Sequence, residues 1–491
     1  MATAPAGGAT RALDRASAVV AASGLPVIIQ GGMGVAVSGW QLARAVSSRG
    51  QLGVVSGTAV DAVMVRRLQL GDPGGDVRRA LDAFPISEVA ARILDRYFIP
   101  GGKGSDTRFR AKPMIKVAPS RHALDLVVVA NFVEVFLAKE GHTGPVGINY
   151  LEKIQAPTLA SLYGAMLAGV DCVLVGAGIP RAIPGILDGL AAGEKVRLRL
   201  DVKGSSAESE VVSEFDPSLY FNGVLPRPLF LAIVSSHVLA TMLARNAESS
   251  VDGFVIEAPT AGGHNAPPRA KGALTDTGEP LYGERDEVDL EAIRSLGRPF
   301  WLAGSRAEPA AIAAAIEAGA AGVQVGTAFA YCDESGLDST LKRQVIDASR
   351  QDRVRIFTDP VASPTGFPFK VVQMEDTLSD DGVYADRDRV CDLGYLRVAY
   401  LRDDHTVGWR CPAEPIDDYV AKGGAEEDTI GRKCLCNSLM AAVGLGQLQR
   451  SGLEEPMLVT AGDDVANVAR FLPPGADTYG AADVINYLLG G

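Results

Sequence analysis

A histidine that follows two glycines, in Ala261-Gly262-Gly263-His264, is the sharpest chemical feature of the chain. The run before it, Gly253 to Glu257, is short and apolar in the manner of a buried parallel strand, so the histidine is expected on a strand-end loop. Held there away from the core, it would keep a near-neutral pKa and could move a proton at pH 7, which makes His264 the candidate catalytic residue. A turn histidine on the surface is the competing reading. The same connection continues, rich in Pro, Gly and charge, as far as Glu287, a length typical of lids and specificity loops.

Two further runs end in glycine: Ala303-Gly304-Ser305-Arg306 and Gln324-Val325-Gly326-Thr327. Glycine lets backbone N–H groups approach an anion and a following helix adds a favourable dipole, so a phosphorylated ligand is expected there; glycines that only turn the chain are the alternative. Gln30-Gly31-Gly32-Met33-Gly34 places three glycines in four residues, which suits a flat ring lying against main chain. It is distinct from a dinucleotide fingerprint, since no G-x-G-x-x-G leads into a helix and then a strand ending in an acid. Asp201 and Lys203 close another apolar run and either face a site or pair with each other. Cys391, Cys411, Cys434 and Cys436 are grouped late in the chain, but the C-x-C spacing falls short of a zinc motif and no metal site is expected. His122, His142, His237 and His405 show no partner pattern.

The elements that must position these residues recur with a β/α rhythm. Eight Val/Ile/Leu-rich runs are read as parallel strands: Val27 to Gln30, Leu52 to Ser56, Val146 to Asn149, Cys172 to Val175, Val196 to Val202, Gly253 to Glu257, Phe300 to Ala303 and Gly322 to Val325. Eight such units close a (β/α)8 TIM barrel over residues 25–345, with the site at the C-terminal ends of the strands and phosphate at the loops after strands seven and eight. Insertions are expected after strand two (about 57–143, with helices around Val60 to Leu70 and Ile86 to Tyr97, and an extra strand over Pro113 to Pro119) and after strand five (about 204–250, with a helix over Leu229 to Arg245). Residues 1–24 are read as an N-terminal arm. Residues 346–491 are read as a mainly helical C-terminal extension, with helices over Thr429 to Gln449 and Asp463 to Phe471, that caps the barrel or pairs subunits.

Composition narrows the class. With 491 residues, 47% of them apolar, the chain can bury a large core. A net charge of −12 without a dense basic run argues against nucleic acid as a partner. No stretch reaches the roughly 18 apolar residues of a membrane span, no signal peptide is read at the N-terminus, and six scattered cysteines are too few for a disulfide framework. The expected compartment is the cytoplasm.

Taken together, A-G-G-H at Ala261 to His264, A-G-S at Ala303 to Ser305, the run Gly319 to Phe329 and the opening P-V-I-I-Q-G-G-M-G resemble the nitronate monooxygenase family, formerly the 2-nitropropane dioxygenases, and Val146 to Asn149 is similar to its G-V-N strand. The resemblance spans roughly residues 25 to 335. It implies an FMN-dependent oxidoreductase on a TIM barrel, with Gln30, Gly31, Gly32, Met33, Gly34, Asn149 and Lys116 lining the flavin and Gly262 and Gly263 close to it. Gly304, Ser305, Gln324, Gly326 and Thr327 would hold its phosphate, and His264 would act on the substrate as base or hydrogen-bond donor. The implied reaction oxidises alkyl nitronates or nitroalkanes with O2 to carbonyl compounds and nitrite. Related flavin-dependent enoyl reductases share the barrel and imply the alternative: NAD(P)H as co-substrate and an enoyl thioester, of fatty-acid or polyketide type, presented by a carrier protein. A homodimer is compatible with either. A barrel that binds a phosphorylated ligand without redox chemistry is the third reading. The chain departs from the family at Gly32 in place of proline, at Glu257 where Gln is common, and at Asn265-Ala266-Pro267-Pro268 after the histidine, all on the substrate side.

Overall fold

The computed structural model describes residues 24–206, 209–246, 250–270 and 272–490. The N-terminal arm, apart from its last residue, lies outside them. Eight parallel strands form the central sheet: β1 (Ile28–Gln30), β2 (Gly53–Ser56), β3 (Val146–Leu151), β4 (Cys172–Gly176), β5 (Leu229–Val234), β6 (Gly253–Glu257), β7 (Phe300–Ala303) and β8 (Gly322–Val325). Their spatial order is β1-β8-β7-β6-β5-β4-β3-β2. The two ends of that order meet at a parallel bridge between Ile29 and Leu52. The Gln30 N–H donates to the Leu52 carbonyl at 2.9 Å, and the Leu52 N–H donates to the Ile28 carbonyl at 3.1 Å. The sheet is thereby a closed α/β barrel of the TIM type.

Alternation along the strands divides the core in two. Ile29, Val54, Leu174, Leu231, Val255 and Trp301 point inward and fill the barrel, and the Trp301 indole N–H donates to the Pro26 carbonyl at 3.0 Å near its floor. Ile28, Val55, Val173, Phe230, Phe254 and Phe300 point outward into the layer under the helices. Both faces are dry, which explains why the strands read as continuous apolar runs.

The fifth strand is a correction. Val196 to Val202 is not in the barrel: Val196–Arg199 pairs antiparallel with Val212–Phe215 in a separate hairpin, and Val202–Lys203 pairs with Val398–Leu401. Val196–Arg199 alternates buried and exposed, the pattern of a strand open on one face. The barrel strand is Leu229–Val234, read from sequence as the start of a helix; a short run buried on both faces carries no periodicity to separate the two. The helix begins only at His237 and ends at Ala244. The second insertion therefore precedes the fifth strand instead of following it.

The first insertion holds four helices, Val60–Gln69, Asp76–Asp82, Ser87–Tyr97 and Arg121–Lys139, and the segment Pro113 to Pro119 is irregular, not a strand. The extension is mixed, not mainly helical. It contributes the antiparallel pair β9 (Ile356–Asp359) and β10 (Phe369–Val372), a second hairpin of Val398–Leu401 with Val407–Arg410, and short helices. Thr429 to Gln449 holds only the helix Leu435–Ala441, bounded by Gly431 and Gly444 at positive φ, and Asp463–Phe471 is 3-10. No helix among the described residues is long and apolar enough to cross a membrane.

Candidate active site

The C-terminal ends of the strands open into one cavity whose roof is the extension. Phe369, Tyr395, Leu396, Leu435, Cys436, Leu439, Thr460, Ala461 and Asp464 face the strand-end residues across it. The roof is stitched to the loop after β6 by main chain: the Lys370 N–H donates to the Gly263 carbonyl at 3.0 Å and the Asn265 N–H to the Pro368 carbonyl at 2.9 Å. Sequence reasoning gave these roof residues no chemistry, because nothing local marks a distant segment as covering a barrel mouth.

Of the residues read from sequence, Gly31, Gly32, Met33, Gly34, Asn149, Gly262, Gly263, His264, Gly304, Ser305, Gln324, Gly326 and Thr327 all line this cavity. Two do not. Gln30 is fully buried beneath the first glycine loop: its Nε2 donates to Ser38 Oγ at 2.8 Å and its Oε1 accepts the Val54 N–H at 3.0 Å. Ser38 Oγ in turn accepts the Met33 N–H at 2.9 Å, so Gln30 braces the loop from below instead of meeting a ligand. Lys116 is exposed, away from the cavity. The lysine of that segment drawn inward is Lys112, which pairs with Asp61 at 2.7 Å beneath the Tyr395 ring. Asp201 and Lys203 do not face the cavity either; both are exposed, and Asp201 meets Lys153 at 3.7 Å.

His264 is not held away from the protein interior. Its ring meets Phe369 edge-on with centroids 4.8 Å apart, Phe367 lies beyond, and Nε2 is 2.7 Å from Ser363 Oγ. Burial among these groups lowers its pKa from the ordinary imidazole value to about 4, correcting the near-neutral expectation. At pH 7 it is a neutral hydrogen-bonding group. The group that burial moves toward neutrality is Glu257, at the end of β6, whose carboxyl is pushed up to about 7 by desolvation.

The two glycine-ended loops lie side by side. Gly304 has φ +93° and Ser305 φ +49°, left-handed conformations that turn the loop sharply after β7. Arg306 lines the cavity with a buried Nε that has no protein partner, and Gln324 Oε1 and Asn149 Oδ1 are buried without partners as well. Buried polar atoms are almost always paired, so three orphans around one cavity point to a polar ligand. One amide is already taken: the Ala307 N–H donates to Asp464 at 3.2 Å. Gly262 has a different reason to be glycine. A Cβ there would stand 2.6 Å from the Gly462 nitrogen and 2.7 Å from the Ala461 carbonyl carbon, so the residue is set by the approach of the extension.

The glycine pair, the two phosphate-type loops and the histidine are thus on one rim, all supplied by β6 to β8. Residues 227–363 match the nitronate monooxygenase family model. This match bears out the resemblance carried by the motifs, and its span runs from β5 to Ser363. A probable nitronate monooxygenase of Bacillus subtilis is 32% identical over 106 residues, which are 21% of this chain. The aligned stretch spans 28% of that relative's own length. Among solved structures, FabK from Thermotoga maritima is similar at 16% identity and a TM-score of 0.49, covering 96% of this chain and 94% of that one. Nitroalkane oxidase from Streptomyces ansochromogenes is similar at 16% identity and a TM-score of 0.45, covering 96% and 97%. The enoyl reductase domain of MlnA from Bacillus amyloliquefaciens is similar at 12% identity and a TM-score of 0.45, covering 96% and 94%.

The remaining chemistry-bearing residues lie elsewhere. His122 Nε2 is 2.9 Å from the Tyr97 hydroxyl and His142 is bonded to the Ala138 carbonyl, both outside the cavity. All six cysteines are free thiols. Cys391, Cys411, Cys434 and Cys436 line one small apolar cavity in the extension, and Cys436 also faces the large one. Among the described residues no group of three or more His, Cys, Asp or Glu is placed to hold a metal ion.

Proposed function

We propose that the chain is an FMN-dependent oxidoreductase of the nitronate monooxygenase type, acting on alkyl nitronates or nitroalkanes with O2. The observation that carries this reading is the ring of unpaired polar atoms, Asn149 Oδ1, Gln324 Oε1 and Arg306 Nε, around a cavity bordered by the family-matched segment. A bound flavin would supply the electron-accepting ring, and the chain's residues would supply position and protons. The glycine loop after β1 and the Asn149 side chain would receive the ring. The main chain at Gly304, Ser305, Gly326 and Thr327, with the Arg306 guanidinium, would receive the phosphate.

The apolar part of the roof, Phe369, Leu396, Leu435 and Leu439, would shield the substrate from water, and neutral His264 would offer it a hydrogen bond without bringing charge. O2 is the electron acceptor in this reading. The test is a visible absorption spectrum of the purified protein, then anaerobic mixing with a small alkyl nitronate: bleaching of the flavin, followed by nitrite release on admitting oxygen, is expected. A protein that neither carries nor takes up FMN would overturn the reading.

The second reading, an NAD(P)H-dependent enoyl reductase acting on a carrier-borne thioester, is favoured by one observation. Leu396, Leu435, Leu439 and Phe369 give the cavity an apolar wall that an acyl chain would suit. Anaerobic bleaching by NADPH and not by nitronate would select it. Under either reading we propose the same division, an N-terminal arm over 1–24, an FMN-binding barrel over 25–345 and a C-terminal extension over 346–491, and the same placement in the cytoplasm.

A further inference from the structure

We propose that Glu257, and not His264, is the side chain that exchanges a proton with the substrate in this cavity, an inference that rests on the functional reading above. Both residues line the cavity, seven positions apart on either side of the glycine pair. They differ in what else they touch. His264 Nε2 is committed to Ser363 Oγ, and its ring is packed against Phe369. Glu257 ends β6 beside Ala303 of β7, and among the described residues no hydrogen bond or ion pair engages its carboxylate.

The charged and titratable groups around the cavity leave that carboxyl uncompensated. Arg306, Asp464, Tyr150, Tyr395 and Cys436 share the wall, and Tyr282 from the loop after β6 is close enough to feel its charge. Burial raises the Glu257 carboxyl above the ordinary carboxylate range, to about 7. A carboxyl with such a value is close to isoenergetic between its two forms at neutral pH, the condition under which an acid or base moves protons in both directions. Imidazole near 4 is a weak base by comparison.

For a neutral nitroalkane the step is a proton transfer without redox change. The C–H bond next to the nitro group breaks, its proton forms an O–H bond on Glu257, and the electron pair moves into the nitro group to leave a nitronate. A substrate supplied already as the nitronate skips this step.

The experiment compares both substrates in the FMN-loaded wild type and in Glu257→Gln, with Glu257→Asp as a variant that keeps the acid. We expect Glu257→Gln to lose about 100-fold or more in kcat/KM on the neutral nitroalkane and under about tenfold on the nitronate, with Glu257→Asp in between. Equal losses on both substrates, or none on either, would overturn the proposal. An independent readout is the infrared C=O stretch of a protonated carboxylic acid, recorded with and without FMN. It should be present near pH 6, fade near pH 8 and be missing in Glu257→Gln; its absence from the wild type overturns the assignment. Wild type that binds FMN and turns over neither substrate overturns the nitronate reading instead, whatever the infrared band shows.

Discussion

His264 Nε2 stands 2.7 Å from Ser363 Oγ, a contact that ties the loop after the sixth barrel strand to the extension. Ser363 is itself buried and lies 2.8 Å from Thr365 Oγ1, so the imidazole is fixed in orientation by a segment 99 residues further along the chain. Replacing Ser363 by Ala leaves that ring nitrogen without its partner. We expect a loss of about 1–3 kcal/mol, measured by urea unfolding without added FMN. Unchanged stability would mean that the contact contributes nothing net.

His264 and Glu257 give opposite pH dependences of stability. His264 titrates at about 4 in the folded chain, below its ordinary value, so the unfolded chain binds the proton first. Its contribution is complete above about pH 6.5 and is lost as pH falls toward 4. Glu257 titrates at about 7 when folded, above the ordinary carboxyl value. The folded chain holds that proton more tightly, so stability declines as pH rises from about 4.5 through 7. Thermal midpoints across this range should show a flatter acid limb in His264→Phe and a flatter neutral limb in Glu257→Gln; limbs identical to wild type would refute both assignments.

Gly262→Ala should be more damaging than Gly263→Ala, although Gly263 is the residue with positive φ. At Gly262 the new methyl meets backbone of Ala461 and Gly462, which cannot swing aside, whereas at Gly263 it enters open space. Overpacking of this kind costs about 1–3 kcal/mol, against roughly 1 kcal/mol for the left-handed strain alone. Proteolysis of the extension, followed by mass spectrometry, would reveal a displaced roof in the first variant; equal protection in both would contradict the packing argument.

Gln30→Ala and Lys116→Ala separate a buried brace from an exposed lysine. Losing the Gln30 side chain leaves the Val54 N–H unpaired in the barrel interior and removes one of the partners of Ser38 Oγ, at a cost of about 1–3 kcal/mol. Lys116→Ala should change neither Tm nor the amount of FMN retained, since the side chain lies outside the cavity. Loss of FMN in the lysine variant would show that the segment closes on the ligand.

Cys436 is the cavity-lining thiol, and burial raises its pKa. Alkylation of the native protein by a small maleimide should be slow at pH 7, and bound FMN should slow it further. Peptide mapping would settle the order of labelling; rapid modification unaffected by FMN would place the thiol outside the ligand's reach.

Much of this molecule is legible in its residues. Seven of the eight barrel strands, both glycine-ended loops and the A-G-G-H segment follow from short apolar runs with glycine at their ends, because buried parallel strands and tight strand-end turns leave a local compositional mark. The fifth strand does not: Leu229–Val234 and a buried helix look alike along the chain, and only pairing with β4 and β6 distinguishes them. A cap is one of two readings of the extension, but its residues are not legible, since Phe369, Tyr395 and Cys436 carry no local sign of the barrel mouth they cover. Sequence determined which residues reach the rim, through the fixed direction of each strand. Tertiary structure decided what those residues are once there. Long-range packing buried His264 and Glu257 and moved their pKa values in opposite directions, His264 down and Glu257 up, since a pKa responds to surroundings that arrive from distant parts of the chain.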